Sequence, residues 1–175
     1  YRSVIIDKFL NQIKKKNFKY IILSNSKPYF NLKIENKYLA DKGFIRSNPI
    51  FCGTHIIWQP KLLRLFIRNR PKLYIVWGEV TRLNSWILFI LKKIIYKESK
   101  IYLWTHGIYG RENFILRKIR AFHFNMADLL LVYSEYSAKI LIENGIKNSK
   151  IKIIGNQLPD AGDYTLVRRK KYQNK

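Results

Sequence analysis

Residues Lys72 to Gly78 (Lys-Leu-Tyr-Ile-Val-Trp-Gly) and Ile101 to Gly107 (Ile-Tyr-Leu-Trp-Thr-His-Gly) decide the fold. Each is a short apolar, aromatic and β-branched run closing on a glycine, the pattern of a buried strand that ends in a turn. Working outward, Arg82 to Tyr96 predicts a helix between them. Arg111 to Met126 predicts the next one, with Phe114, Ile115, Leu116, Ile119 and Phe122 on its inner side. Ala127 and Asp128 then lead into a strand over Leu129 to Val132. Ser134 begins a helix that runs to Asn144 and is capped by Gly145, and a last strand covers Ile151 to Ile154. Strands that are apolar throughout, each followed by a helix, predict a doubly wound α/β fold with a mostly parallel sheet covered on both faces.

Upstream the pattern is weaker. Pro60 suits a first helical turn, Leu62, Leu63, Leu65, Phe66 and Ile67 form an apolar side, and Pro71 ends the segment. Val4 to Lys16 has apolar residues at helical spacing opposite a lysine-rich face, and predicts an amphipathic helix. Lys19 to Leu23 predicts a strand closed by the turn residues Ser24, Asn25, Ser26 and Pro28. Tyr29 to Pro49 has little periodicity beyond a short strand around Gly43 to Arg46.

The composition narrows the function classes. The chain has 175 residues, 47% hydrophobic and 15% aromatic, with 34 Lys and Arg against 11 Asp and Glu, a net charge of +23. So much apolar material excludes a disordered basic tail. The charge suits polyanionic partners: nucleic acid, anionic lipid headgroups or phosphorylated substrates. Much of it also reads simply as a solvated surface. One cysteine, Cys52, excludes an intrachain disulfide and a zinc site built on paired cysteines, and fits a cytoplasm-facing chain. The longest apolar run, Trp86 to Leu91, is stopped by Lys92 and Lys93, too short to span a bilayer. Tyr1 in place of Met suggests a piece of a longer chain. Phosphate-loop, dinucleotide-fingerprint and hydrolase-elbow motifs are all missing from the sequence. So are helix-turn-helix, zinc-finger and RNP-type signatures.

In a parallel α/β sheet, ligands bind where the strands end and lead into helices. Those loops are Gly78 to Asn84, Thr105 to Arg111, Ser134 to Tyr136 and Gly155 to Pro159. In the second of them, His106 follows a buried strand, and two glycines and Arg111 follow His106, a pattern suited to a sugar or phosphate pocket. The same histidine equally reads as a cap that hydrogen-bonds the turn. Glu79, Arg82 and Asn84 either bind hydroxyls or a phosphate, or serve as the cap and first-turn charges of the next helix. His55 and His123 read as structural, Trp58 and Trp86 as packing residues, and Cys52 as a small buried or half-buried residue.

From Pro71 to Pro159, about half the chain, the order of features resembles the N-terminal Rossmann-like domain of GT-B glycosyltransferases, the family-4 type of bacterial surface polysaccharide synthesis. The resemblance rests on Pro71 to Val76, Trp104-Thr105-His106-Gly107, Ala127-Asp128 before Val132-Tyr133-Ser134, Leu141 to Gly145, and Lys150 to Asn156. Tyr1-Arg2-Ser3 is similar to the turn that opens the family's first helix. The resemblance implies transfer of a sugar from a nucleotide-sugar donor to a lipid-linked or oligosaccharide acceptor, usually with retention in that family, and without a metal or other cofactor. It implies that His106 faces the donor sugar and reacting centre, that Gly107 lets the backbone approach, and that Arg2, Glu79, Arg82 and Arg111 serve the substrate. Asn156 would mark an interdomain hinge. Residues 1–159 would form the acceptor domain and 160–175 a basic tail or linker. The first strand and the C-terminal nucleotide-sugar domain would lie outside this sequence. The expected location is the cytoplasmic face of the inner membrane, with the lysine-rich first helix on anionic lipid. The competing expectation is a basic nucleic-acid-binding α/β module without catalysis.

Overall fold

In a computed structural model of the chain, the residues described are 12, 21–24, 44–46, 49–53, 55–110 and 112–155. Apart from Gln12, the helix expected over Val4 to Lys16 lies outside them, as do Arg2, Arg111, Asn156 and the tail after Pro159. The chain divides into two units, Tyr1–Tyr20 with Gly155–Lys175, and Ile21–Ile154. Every element below belongs to the second unit.

Strands β1 (Ile22–Ser24) and β2 (Phe44–Arg46) pair in parallel, and β3 (Ile50–Cys52) and β4 (Ile56–Trp58) form an antiparallel hairpin. Helix α1 (Pro60–Asn69) follows, then β5 (Leu73–Trp77), α2 (Leu83–Ile94), β6 (Lys100–Thr105), α3 (Phe114–Asn125), β7 (Leu129–Val132), α4 (Glu135–Glu143), a 3-10 turn (Asn148–Lys150) and β8 (Ile151–Ile153). Strands β5 to β8 make one parallel sheet in sequence order, so the mixed α/β class with a parallel sheet flanked by helices is the observed one.

The winding is simpler than expected. Right-handed crossovers that always step in the same direction put their helices on the same face of the sheet. The core agrees: Ile101, Leu103, Leu130 and Val132 are buried in one cluster with Leu88 and Phe89 of α2, Ala121 and Phe124 of α3, and Ile140 and Leu141 of α4. The alternate residues Leu73 and Ile75 of β5 are exposed, and Tyr102 and Trp104 of β6 are only half-buried. Among the described elements the sheet therefore has one sealed face rather than two.

Local chemistry sets the element ends. Pro60 occupies the first turn of α1, and Arg70, at φ 44°, closes that helix by donating its N–H to Phe66. Helix α3 starts at Phe114 because the Asn113 side chain caps it, accepting the Leu116 N–H at 2.8 Å. Ser134 caps α4 in the same way, taking the Ser137 N–H. The β3–β4 hairpin is absent from the sequence reading, although Gly53 at φ 69° between two apolar runs marks its turn.

The largest correction concerns which side of α3 faces in. Phe114, Ile115, Ile119 and Phe122 point to solvent, while Arg120, Ala121, His123 and Phe124 are buried. Polar contacts decide it: Arg120 finds carboxylates and His123 finds a hydroxyl in the interior, as described next. On α1, Ile67 is likewise exposed, whereas Phe66 is fully buried against Tyr74 and Tyr96.

Candidate functional site

The sheet's carboxyl edge is built from β5, β6 and β7. Gly78 follows β5 and packs so closely on β6 that a Cβ there would lie 2.8 Å from Thr105 Cβ. Its N–H reaches the Trp104 carbonyl at 2.9 Å, and Thr105 Oγ1 donates to its carbonyl at 3.2 Å. The same Thr105 oxygen accepts the Gly107 N–H at 3.0 Å. Thr105 thus closes the turn, and the backbone can reverse because Gly107 takes φ 83°.

That arrangement separates the two readings of His106. The turn's hydrogen bonds belong to Thr105, and the His106 imidazole makes no hydrogen bond among the described residues. Its half-buried ring lies among aromatic ones instead: Tyr133 at 4.6 Å, Trp77 at 6.0 Å edge-on, and Tyr109 at 6.4 Å in a stacked orientation. Trp104 continues the wall, 6.1 Å from Tyr133 and 6.4 Å from Trp77. Trp77 and Tyr133 end or follow strands β5 and β7, so three neighbouring strands aim one aromatic residue each at the β6 histidine or its surroundings.

A charged group adjoins this cradle. Arg120 of α3 sits 5.2 Å from the Tyr109 ring centre, pairs with Glu112 (Nε to Oε1, 2.8 Å) and reaches Glu79 at 3.5 Å. The Arg120–Glu112 pair is an ion pair without the alignment of a hydrogen bond, and Glu112 Oε2 is buried with no hydrogen-bond partner. The Tyr109 N–H points at Glu112 Oε1 from 3.4 Å. Burial, followed by the Glu79 charge, pushes the Tyr109 hydroxyl above its ordinary range, so it stays protonated. Arg117 ties the loop down, donating to the Gly110 carbonyl at 2.7 Å. Beside it a cleft of about 360 Å³ opens between Gly110, Arg117 and the Tyr136, Lys139 and Glu143 side of α4.

Of the sequence candidates, His106 and Glu79 thus belong to one chain of contacts, through Tyr109 and Arg120. Gly107 lies in the turn itself. Arg82 stands further along, as the N-cap of α2, its carbonyl receiving both the N–H and the hydroxyl of Ser85. Asn84 is structural: its amide group exchanges two 2.7 Å hydrogen bonds with the Gln59 backbone, fastening α2 to the start of α1. The Thr81 carbonyl also takes the Ile57 N–H at 2.9 Å, so the hairpin steadies the Gly78 to Asn84 loop. Trp86 donates to the Val80 carbonyl and packs on His123, as a packing residue should. Tyr109, Glu112, Arg120 and Tyr133 were not singled out from sequence. Tyr133 has a positional signal, since it follows a strand end, but Arg120 has none.

His123 is an interior residue. Ser85 spends its only hydroxyl proton on the Arg82 carbonyl, so His123 Nε2, 2.7 Å from Ser85 Oγ, must be the donor between them. Burial, reinforced by the Arg120 charge, lowers its pKa to about 4 and keeps it neutral. Among the described residues no group of three or more His, Cys, Asp or Glu side chains could hold a metal ion, and no helix is long and apolar enough to cross a membrane. No family model matches the chain, and neither a curated protein nor a solved structure does so with significance.

Proposed function

We propose that this chain is the acceptor-side, Rossmann-like part of a GT-B glycosyltransferase that passes a sugar from a nucleotide-sugar donor to a lipid-linked or glycan acceptor. The observation that carries the reading is the environment of His106: a histidine without a hydrogen bond to its own turn, walled by Trp77, Tyr109 and Tyr133 at the carboxyl edge of a parallel sheet. Aromatic faces offer the apolar side of a sugar ring a surface, and a few convergent polar groups fix its hydroxyls. Glu79 and the Arg120–Glu112 pair supply such groups next to the cradle. The likeness of Trp104 to Gly107 to the family's strand-end motif supports the same assignment.

In this reading the acceptor hydroxyl attacks the anomeric carbon from the face the nucleoside diphosphate leaves, as retention requires, and the new glycosidic bond forms as the bond to the diphosphate breaks. The diphosphate leaves with the electron pair and takes up the hydroxyl proton. His106 donates a hydrogen bond to a sugar hydroxyl at that centre, and Glu79 accepts one from the acceptor. The resemblance assigns nucleotide binding to a second domain and calls for no metal. The cytoplasmic face of the inner membrane is the location that goes with this reading.

The test is transfer from a panel of nucleotide sugars to membrane extract by the gene product, wild type beside His106→Ala. Donor-dependent transfer that His106→Ala abolishes while thermal unfolding is unchanged supports the reading. No transfer with any donor, together with tight salt-sensitive binding of single- or double-stranded nucleic acid, moves the assignment to the nucleic-acid module.

A further inference from the structure

Glu79, Arg120 and Glu112 form a triad at the carboxyl edge, with one positive charge for two negative ones. Arg120 is the nearer to Glu112, at 2.8 Å, and stands 3.5 Å from Glu79 Oε2. Among the described residues no other cation comes within ion-pair distance of Glu79, and its Oε1 accepts no hydrogen bond. The two carboxylates differ in access. The Glu112 side chain is 7% exposed and its unpartnered Oε2 is sealed in, whereas 22% of the Glu79 side chain is open. Glu112 therefore adds negative potential without reaching a ligand, and Glu79 is the carboxylate that a ligand can touch.

The aromatic wall adjoins this charge. The Tyr109 ring centre is 5.2 Å from the Arg120 guanidinium, and its hydroxyl feels the Glu79 carboxylate. The same ring stacks on His106, which Trp77 and Tyr133 also flank. Aromatic faces attract cations, and an ammonium carried on a carbon skeleton gains from such faces and from an opposite charge together.

We propose that the acceptor sugar received here carries a free amine, bound as an ammonium by Glu79 beside the wall of Trp77, Tyr109 and Tyr133. The inference rests on the sugar-binding reading of this cradle and adds the chemical class of the sugar. A neutral hydroxyl would occupy Glu79 Oε1 but leave the charge uncompensated. A phosphate or a uronate would be repelled by the same carboxylate, and N-acetylation would remove the positive charge. Pairing with Glu79 also favours the protonated amine, which has no lone pair with which to attack the donor, so a hydroxyl of the same sugar remains the nucleophile. The net charge of +23 repels cations at long range, so a preference for an amine can only be local.

The experiment measures binding to the whole gene product by saturation-transfer NMR, without donor. The probes are glucosamine, galactosamine and mannosamine, each beside its parent hexose and its N-acetyl derivative. At least one amino sugar should bind about tenfold more tightly than both of its neutral counterparts, and less so as salt rises. Glu79→Gln, which keeps an accepting oxygen and removes the charge, should bring the amino sugar down to the affinity of its parent hexose. The wild-type comparison alone decides the matter if that variant does not fold. Amino sugars that bind no better than their neutral counterparts, or a preference that Glu79→Gln leaves intact, would overturn the proposal. Donor-dependent transfer to acceptors in which an amine gives no advantage would overturn it too, with the transfer reading still standing. A Glu79-dependent amine preference in a protein that transfers from no donor would uphold it and remove the transfer reading instead.

Discussion

The two edges of the four-strand sheet are made of similar residues and put to opposite uses. At the amino edge the best-engaged polar side chains serve structure. Asp128 holds Lys92 and takes the Ile101 N–H at 2.7 Å, Ser99 donates to the Pro71 carbonyl at 2.8 Å, and Lys150 covers the Asn125 and Ala127 carbonyls left over at the end of α3. At the carboxyl edge the backbone is equally well paired, through Thr105, but the side chains are not. Among the described residues His106 has ring contacts and no hydrogen bond, and Glu112 Oε2 and Trp104 Nε1 are buried without hydrogen-bond partners. Buried polar groups are nearly always satisfied, so on the proposed reading these exceptions at the carboxyl edge are the groups a ligand would engage.

The largest effect expected from this contrast is at His106. His106→Ala should reduce transfer about 10³-fold, or about 4 kcal/mol of barrier, while the unfolding midpoint stays within about 1 degree, because the imidazole holds nothing in place. A loss of stability with activity kept per folded molecule would break the contrast, since His106 would then be structural like Asp128.

His123 sharpens the contrast by supplying a third condition, an incompletely paired group sealed inside. Its Nδ1 has no hydrogen-bond partner and its neutral form is enforced by burial. The unfolded chain binds a proton at this residue below about pH 6.5, whereas the folded chain does so only near pH 4. Stability contributed here is therefore intact above pH 6.5 and falls as the pH drops towards 4, by about 3 kcal/mol in all. Carboxylates add their own acid sensitivity, so the quantity to measure is the difference between wild type and His123→Phe across urea titrations from pH 7 to pH 4. A variant with the same pH slope as wild type would show that His123 is not kept neutral.

Asp128→Ala is the amino-edge counterpart of His106→Ala, with the outcome reversed. It strands the Lys92 ammonium and the Ile101 N–H at a partly exposed position, and should cost about 2 kcal/mol in urea unfolding. Transfer per folded molecule should stay near wild type. Lost activity with intact stability would mean that the amino edge, too, serves the substrate.

Much of the sheet was legible because its strands are uninterrupted runs: Leu73 to Trp77, Ile101 to Trp104 and Leu129 to Val132 admit few other readings. The order of the strands also follows from their sequence, since each βα unit places the next strand beside the last. The faces of α3 were not legible. Apolar residues at 114, 115, 116, 119, 121, 122 and 124 leave more than one possible inner stripe, and choosing the one with the largest side chains gave the wrong side. What decided it was long-range pairing, of Arg120 with Glu79 and Glu112 and of His123 with Ser85, which no local spacing encodes. The same reason hid most of the candidate site. His106 was visible from its place after a strand, whereas Arg120 joins the cluster only because α3 crosses back over the sheet.

The smallest effect tests why the turn needs glycines at all. Gly78 and Gly107 flank the same threonine but meet different obstacles. A Cβ on Gly78 would lie 2.8 Å from Thr105 Cβ and 3.0 Å from Leu103 Cβ, both fixed to β6, so Gly78→Ala must push strands apart and should cost about 2 kcal/mol. A Cβ on Gly107 would meet Leu141 and Ser137 only at 3.6 Å, an ordinary contact, so Gly107→Ala should pay just for φ 83°, about 1 kcal/mol. The Gly107 N–H is already engaged by Thr105 Oγ1, which leaves conformation as the sufficient reason for this glycine. Transfer by Gly107→Ala should therefore fall no further than the folded fraction does. A loss of more than about tenfold in fully folded protein would instead mean that substrate approaches this backbone as closely as the family resemblance implies, and the aromatic cradle would extend to the turn beneath His106.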